Sequence, residues 1–248
     1  TIAPDTKIEY TPKEIIDFVS ATIPTTAEVL PLLKGMTLFM KHMPSDTKFV
    51  RVDDGSMRGP MEYDPKTNIV KINADYAGHM NYESMANTIS EEMLHAVTVD
   101  KLAKPEIYEA IDNIRAQIAE NYQNGKYNQY TIEGIGKGES LTVNDAPEIM
   151  DYYLGSPEEF VAGLYNNNTP LWDILSNTKL SGQKTRNTID AINDTLFGKK
   201  STLSEAVQEF VTFKQARHSQ DMDAKASYKA FPIDIYTKSK INNIMNAA

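Results

Sequence analysis

The sequence predicts an α+β fold in which a small twisted sheet packs on one central helix and a mainly helical part follows toward the C-terminus. Three observations predict it. Between residues 48 and 73 lie three short segments rich in β-branched and aromatic residues, separated by turn residues. On either side of them, apolar residues recur at three- and four-residue spacing behind recognisable helix starts. Apolar residues make up 41% and charged residues 24% of the 248, the proportions of a folded globular chain rather than a low-complexity or disordered one.

Thr11-Pro12-Lys13-Glu14 is a capping box with proline at the first helical position, and it launches a helix through Ile15, Ile16, Phe18 and Val19. A second helix is expected from Thr26 to Lys41, with Pro31 near its first turn. Lys48 to Val52 and Gly59 to Tyr63 read as short strands divided by the turn Asp53-Asp54-Gly55. Asp64-Pro65-Lys66-Thr67-Asn68 then turns the chain into the alternating segment Ile69-Val70-Lys71-Ile72-Asn73. The next helix is expected over Tyr82 to Val99, with Asn81 as N-cap, Glu83 in the first turn, and an apolar stripe of Met85, Ile89, Met93 and Ala96 or Val97. It should end before Lys104-Pro105.

Beyond Pro105, Ile107, Ile111, Ile114 and Ile118 mark another amphipathic helix. Gly125 to Asn144 reads as a long loop or irregular hairpin able to overhang a cleft. Ser156-Pro157-Glu158-Glu159 opens a helix carrying Phe160, Val161 and Leu164, and further helices are expected near Thr185 to Leu196 and Leu203 to Arg217, with Trp172 anchoring a helix in the core. Residues 1–176 are expected to form one domain and 177–248 a helical extension packed on the same body.

Lys and Arg total 25 against 34 Asp and Glu, and a net charge of −9 repels a phosphate backbone, which argues against nucleic acid as the main partner. The chain has no Cys, so disulfides, thiolate metal sites and cysteine nucleophiles are all excluded and any metal must rest on His and carboxylate. No apolar run approaches the roughly 20 residues needed to cross a bilayer, and Thr1-Ile2-Ala3-Pro4 lacks the basic and apolar regions of a secretion signal. A start at Thr rather than Met is expected of a processed product or a piece of a longer polypeptide.

The stretch Ser90-Glu91-Glu92-Met93-Leu94-His95-Ala96-Val97-Thr98 carries the chemistry. Residues four apart share a helix face, so Glu91 and His95 can reach one cation, while Glu92, one residue along, points where an activated water would sit. Glu92 is thereby the candidate general base. The third ligand has to come from elsewhere, and Glu159 stands at the start of a later helix, with Glu158 as the alternative. His42, His79 and His218 lie in polar surroundings and are expected to be exposed; His79 alone is near enough in sequence to replace a ligand.

Plainer roles exist for the same residues. Glu92 and His95 are also an ordinary surface pair three apart. Ser156 with Glu159 is also a capping box. A di-iron bundle needs a second Glu-x-x-His unit, and none of the other histidines has a glutamate three residues earlier. There is no G-x-S-x-G, and Gly134-Ile135-Gly136-Lys137-Gly138 does not have phosphate-loop spacing.

Taken in order, the strand Asn68-Ile69-Val70-Lys71-Ile72, the helix Thr88 to Thr98 and the later Glu159-Phe160-Val161-Ala162 resemble the gluzincin-type peptidase domains embedded in large phage and mobile-element polypeptides, over roughly residues 45 to 175. In that family the helix carries H-E-x-x-H, and a glutamate before Phe on a later helix completes the metal site. The resemblance implies a zincin-like fold with His95 as the second metal histidine, Glu92 as general base and Glu159 as third ligand. It also implies that Ile69, Val70, Lys71, Ile72 and Asn73 form the cleft-edge strand onto which an extended peptide adds.

Glu91 departs from the pattern, standing where the first histidine belongs. Carboxylate oxygen binds Zn²⁺ at about 2.0–2.2 Å, so the set can still hold the family's Zn²⁺, but two carboxylates and one imidazole make it harder and more anionic, favouring Mg²⁺, Ca²⁺ or Mn²⁺ relative to Zn²⁺. The implied function is a metal-dependent peptidase acting on a peptide or protein. The alternative is an inactive zincin-fold module, without metal, that binds other parts of a larger polypeptide or a virion assembly. Neither places the chain in a membrane; the expected location is the cytoplasm or a virion.

Overall fold

Thr11 and Glu14 start helix α1 (Pro12–Thr22) by satisfying each other's backbone: Thr11 Oγ1 accepts the Glu14 N–H at 3.2 Å and Glu14 Oε2 accepts the Thr11 N–H at 2.9 Å. The capping box is therefore complete, and Pro12 has no N–H of its own left unpaired in that turn. The structure, a computed structural model, describes residues 8–22, 29–53, 55, 57, 59–77, 80, 82–132, 141–144, 147–164, 170–182 and 187–199. These fall into two compact units, one within residues 1–96 and one within 97–208.

The first unit contains β1 (Glu9–Tyr10), α1, α2 (Val29–Met40), β2 (Lys48–Val52), β3 (Met61–Asp64), β4 (Ile69–Asn73), α3 (Ala74–Ala77) and most of α4 (Tyr82–Leu102). Its four strands lie in the order β1-β2-β4-β3, with β2 and β4 parallel and the other neighbours antiparallel. Ile15, Ile16 and Val19 of α1, Leu33, Met36 and Phe39 of α2, and Phe49 and Val70 of the sheet are buried. The expected second helix ends at Met40, and its proposed start at Thr26 lies outside the described residues, as does Asn81. Strand β3 begins at Met61 rather than Gly59.

One expectation is corrected here. Ile69, Val70, Lys71, Ile72 and Asn73 are not an edge strand: β4 is paired on both sides, with β2 along one and β3 along the other. The reason is the tight turn Asp64 to Asn68, which folds β3 back along β4 and uses the side that would otherwise be open. Among the described strands, β3 itself is the edge at that end of the sheet.

That turn is held by its own side chains. Asp64 Oδ1 accepts the Lys66 N–H at 2.9 Å, and this bond, with help from Thr67 and Lys71, holds the Asp64 carboxyl below its ordinary 3.8. A lowered carboxylate contributes stability above its ordinary pKa and loses it as the pH falls through the lowered value. Asn68 adopts a left-handed φ of 55°, and its Oδ1 accepts from Thr47 Oγ1 at 2.9 Å and from the Tyr63 hydroxyl at 3.1 Å, while its Nδ2 donates to Asp46 at 2.7 Å. Asn68→Ala removes these bonds and puts a Cβ-bearing residue without a local acceptor in the left-handed region. We expect it to cost about 2–3 kcal/mol in urea unfolding, with Asn68→Gly recovering about 1 kcal/mol of that.

The second unit contains the end of α4, α5 (Pro105–Gln123), β5 (Thr131–Ile132), β6 (Leu141–Thr142), α6 (Pro147–Tyr153), α7 (Pro157–Gly163), α8 (Leu171–Asn177) and α9 (Thr188–Phe197). Helix α4 stops at Leu102, before Lys104-Pro105 as expected, and α5 follows, with Ile111 and Ile118 buried, and packs on α7 and α9. Within the glycine-bearing stretch β5 and β6 pair antiparallel, and residues 133–140 between them lie outside the described residues. Arg115 ties α5 to the end of α6 by donating to the Leu154 carbonyl. Asn187 caps α9 by accepting the Asp190 N–H at 2.9 Å. The side chains of Glu83 and Trp172 and the expected helix Leu203 to Arg217 lie outside the described residues. No helix among the described residues is long and apolar enough to cross a membrane.

Candidate metal centre

Helix α4 is buried on nearly every side between Ala86 and Thr98. Ala86, Ile89, Met93, Leu94, Ala96 and Val97 supply apolar packing, with Met85 only half-buried, but Asn87, Ser90, Glu91, Glu92 and Thr98 are buried as well. Burying a polar group costs roughly 1–3 kcal/mol unless it finds a partner, and a carboxylate costs more. A central helix carrying two buried glutamates is thus organised around something other than apolar packing.

Ser90 marks the contrast. Its residue is 1% exposed and its hydroxyl makes no hydrogen bond. Ser90→Ala removes an unsatisfied hydroxyl and raises helix propensity, so we expect stability to stay level or rise by about 1 kcal/mol, read from thermal unfolding.

Glu91 and His95 lie one helical turn apart on α4, the spacing that puts both on one face. Their donor atoms and a carboxylate oxygen of Glu159 all lie within 4.8 Å of one another. Glu91 is buried; His95 and Glu159 are half-buried. Glu159 reaches this point while its backbone does the capping work anticipated for it: Ser156, the N-cap of α7, accepts the Glu159 N–H at 3.2 Å. The amide serves the helix, while the carboxylate Oε2 is shut off from solvent. Glu158, the alternative ligand, is not in the group.

Donors bound at about 2.0–2.4 Å to a common cation lie no more than about 4.8 Å apart, so this triangle is of ligating size. Its chemistry, two carboxylates and one imidazole, carries the negative charge that a divalent cation requires. The Glu91, His95 and Glu159 group can hold a metal ion.

Glu92 is placed differently. It is 8% exposed and outside the three-residue group, and its Oε2 accepts the backbone N–H of Tyr63 on β3 at 2.6 Å. The residue expected to be the general base is therefore bonded to the edge strand of the sheet. Sequence reasoning missed this contact because its donor is a main-chain amide, which has no signature among residue types. Of the other histidines, His42 is exposed as expected, and His79 and His218 lie outside the described residues. No protein-family model, no curated protein and no solved structure matches this chain.

Proposed function

We propose that this chain is a metal-dependent peptidase-like domain of zincin-like fold, with Glu91, His95 and Glu159 as the cation ligands and Glu92 as the general base. The observation that carries the reading is the approach of three donors, two from α4 and one from α7, to within ligating distance. The order of strand, helix and later glutamate-bearing helix is the supporting one. A divalent cation at this position supplies Lewis-acid activation of water and of a substrate carbonyl. Glu92 takes up a proton beside it, and β3, rather than β4, offers its edge to an extended peptide. With two carboxylates among the ligands, Mn²⁺, Mg²⁺ or Ca²⁺ is favoured relative to Zn²⁺.

Two observations favour a second reading. Glu92 is engaged with Tyr63, and Glu91 replaces an imidazole, both of which suit an inactive zincin-fold module that binds a neighbouring part of a larger polypeptide or a virion assembly. Calorimetric titration of chelator-treated protein with each cation, alongside cleavage of an unfolded polypeptide, separates the two. The peptidase reading expects binding, cleavage that a chelator stops, and a Glu92→Gln variant that keeps the cation while losing about 10²–10⁴-fold in rate. A protein that takes up no cation and cleaves nothing assigns the inactive module, and binding without cleavage keeps the metal site while refuting the peptidase.

A further inference from the structure

The base assigned to Glu92 and the edge assigned to β3 meet in a single hydrogen bond. Asn73 N–H donates to the Pro60 carbonyl at 2.9 Å, and along the same ladder Glu62 faces Lys71, Tyr63 faces Val70 and Asp64 faces Ile69. In an antiparallel pair, positions that exchange hydrogen bonds alternate with positions that do not. Since Pro60 and Asn73 occupy a bonded position, Glu62 and Asp64 direct their amides to β4, and Met61 and Tyr63 direct theirs away from it. The Tyr63 N–H thus emerges on the outer side of β3, and there Glu92 Oε2 accepts it at 2.6 Å. That is shorter than the usual separation of about 2.9 Å for a neutral pair and fits a carboxylate acceptor.

A strand that adds to a sheet edge places its carbonyl oxygens on these outward amides. Beside Tyr63 the position is already taken, and the outward amide of Met61 lies two residues, roughly 7 Å, along the strand. We propose that Glu92 and a carbonyl oxygen of a bound extended peptide compete for the Tyr63 N–H. Peptide docking on β3 then releases the Glu92 carboxylate for proton transfer, and an empty edge keeps it latched. The base is armed by the arrival of the chain it acts on. This inference rests on the peptidase reading above.

The test follows the Tyr63 amide by NMR in the ¹⁵N-labelled 248-residue chain loaded with Mg²⁺ or Ca²⁺, while an acetylated, amidated hexapeptide of alternating valine and threonine is added. We expect the Tyr63 resonance to start far downfield, as a carboxylate-bonded amide does, and to move upfield as the peptide binds. Glu92→Gln, whose amide oxygen is a weaker acceptor, should bind the peptide several-fold more tightly, and Glu92→Asp, one methylene shorter, should shift affinity in the same direction. Peptide binding that leaves the Tyr63 resonance in place overturns the competition, as does equal affinity for the parent protein and Glu92→Gln. Should both variants fail to fold, the Tyr63 shift in the unaltered protein decides alone. Absence of peptide binding also overturns it, and whether the peptidase reading falls as well is read separately from cation uptake and cleavage of the unfolded polypeptide.

Discussion

His95→Ala is expected to lower divalent-cation affinity by more than about 100-fold while leaving the circular dichroism spectrum unchanged. Loss of a group that merely orients a ligand typically costs about 10–100-fold, so removing the ligand itself should exceed that range. The fold should tolerate the change because His95 is only half-buried and alanine is the best helix former. The companion substitution is Glu91→His, which gives the group two imidazoles and one carboxylate. Zinc affinity should rise and Ca²⁺ and Mg²⁺ affinity should fall, since softer nitrogen donors replace a hard oxygen. Glu158→Gln serves as the control, because that residue stands outside the group, and its affinities should match the parent's. A cation that binds His95→Ala as tightly as the parent sits somewhere else.

Gly163→Ala should lower stability through a steric clash inside the second unit. A Cβ at that position of α7 would lie 2.4 Å from Cδ1 of Tyr153, 2.8 Å from its Cγ and 3.0 Å from its Cε1. The ring has little room to yield, being buried and packed edge-on against Tyr152 with centroids 4.9 Å apart. Alanine regains about 1 kcal/mol of helix propensity, but overpacking a buried contact of this kind costs about 1–3 kcal/mol and sometimes more. With three ring atoms at or under 3.0 Å, the clash should win, and we expect a net loss of about 2 kcal/mol. In a Tyr153→Ala background the same change should cost little, and that non-additivity identifies the ring as the cause. Glu159 lies four residues earlier on the same short helix, so a displaced α7 should also weaken cation binding.

Much of the fold was legible where its signals are local. The capping box at Thr11, the alternation in Ile69 to Asn73 and the stop before Pro105 each depend on a few adjacent residues, and each appears where expected. The grouping of Glu91, His95 and Glu159 was legible through helix spacing and the resemblance together. The interior position of β4 was not, since strand order depends on which strands pair, and no residue of β4 encodes that. Helices α6 and α8, seven residues each, span two turns and are too short to display a helical period. Strand β1, with two residues, is shorter still.

The parallel pairing of β2 with β4 has a consequence in time. The hairpin β3–β4 closes over one tight turn, a small loss of chain entropy, whereas β2 must wait for the whole intervening segment before it finds its partner. Hairpins assemble in roughly 1–10 μs, so the later step is the docking of β2. Asn68 sits at that junction: it ends the hairpin's turn, and its side-chain and main-chain oxygens accept from Thr47 and Lys48 at the entrance to β2. One asparagine thus belongs both to the piece that closes early and to the one that docks late.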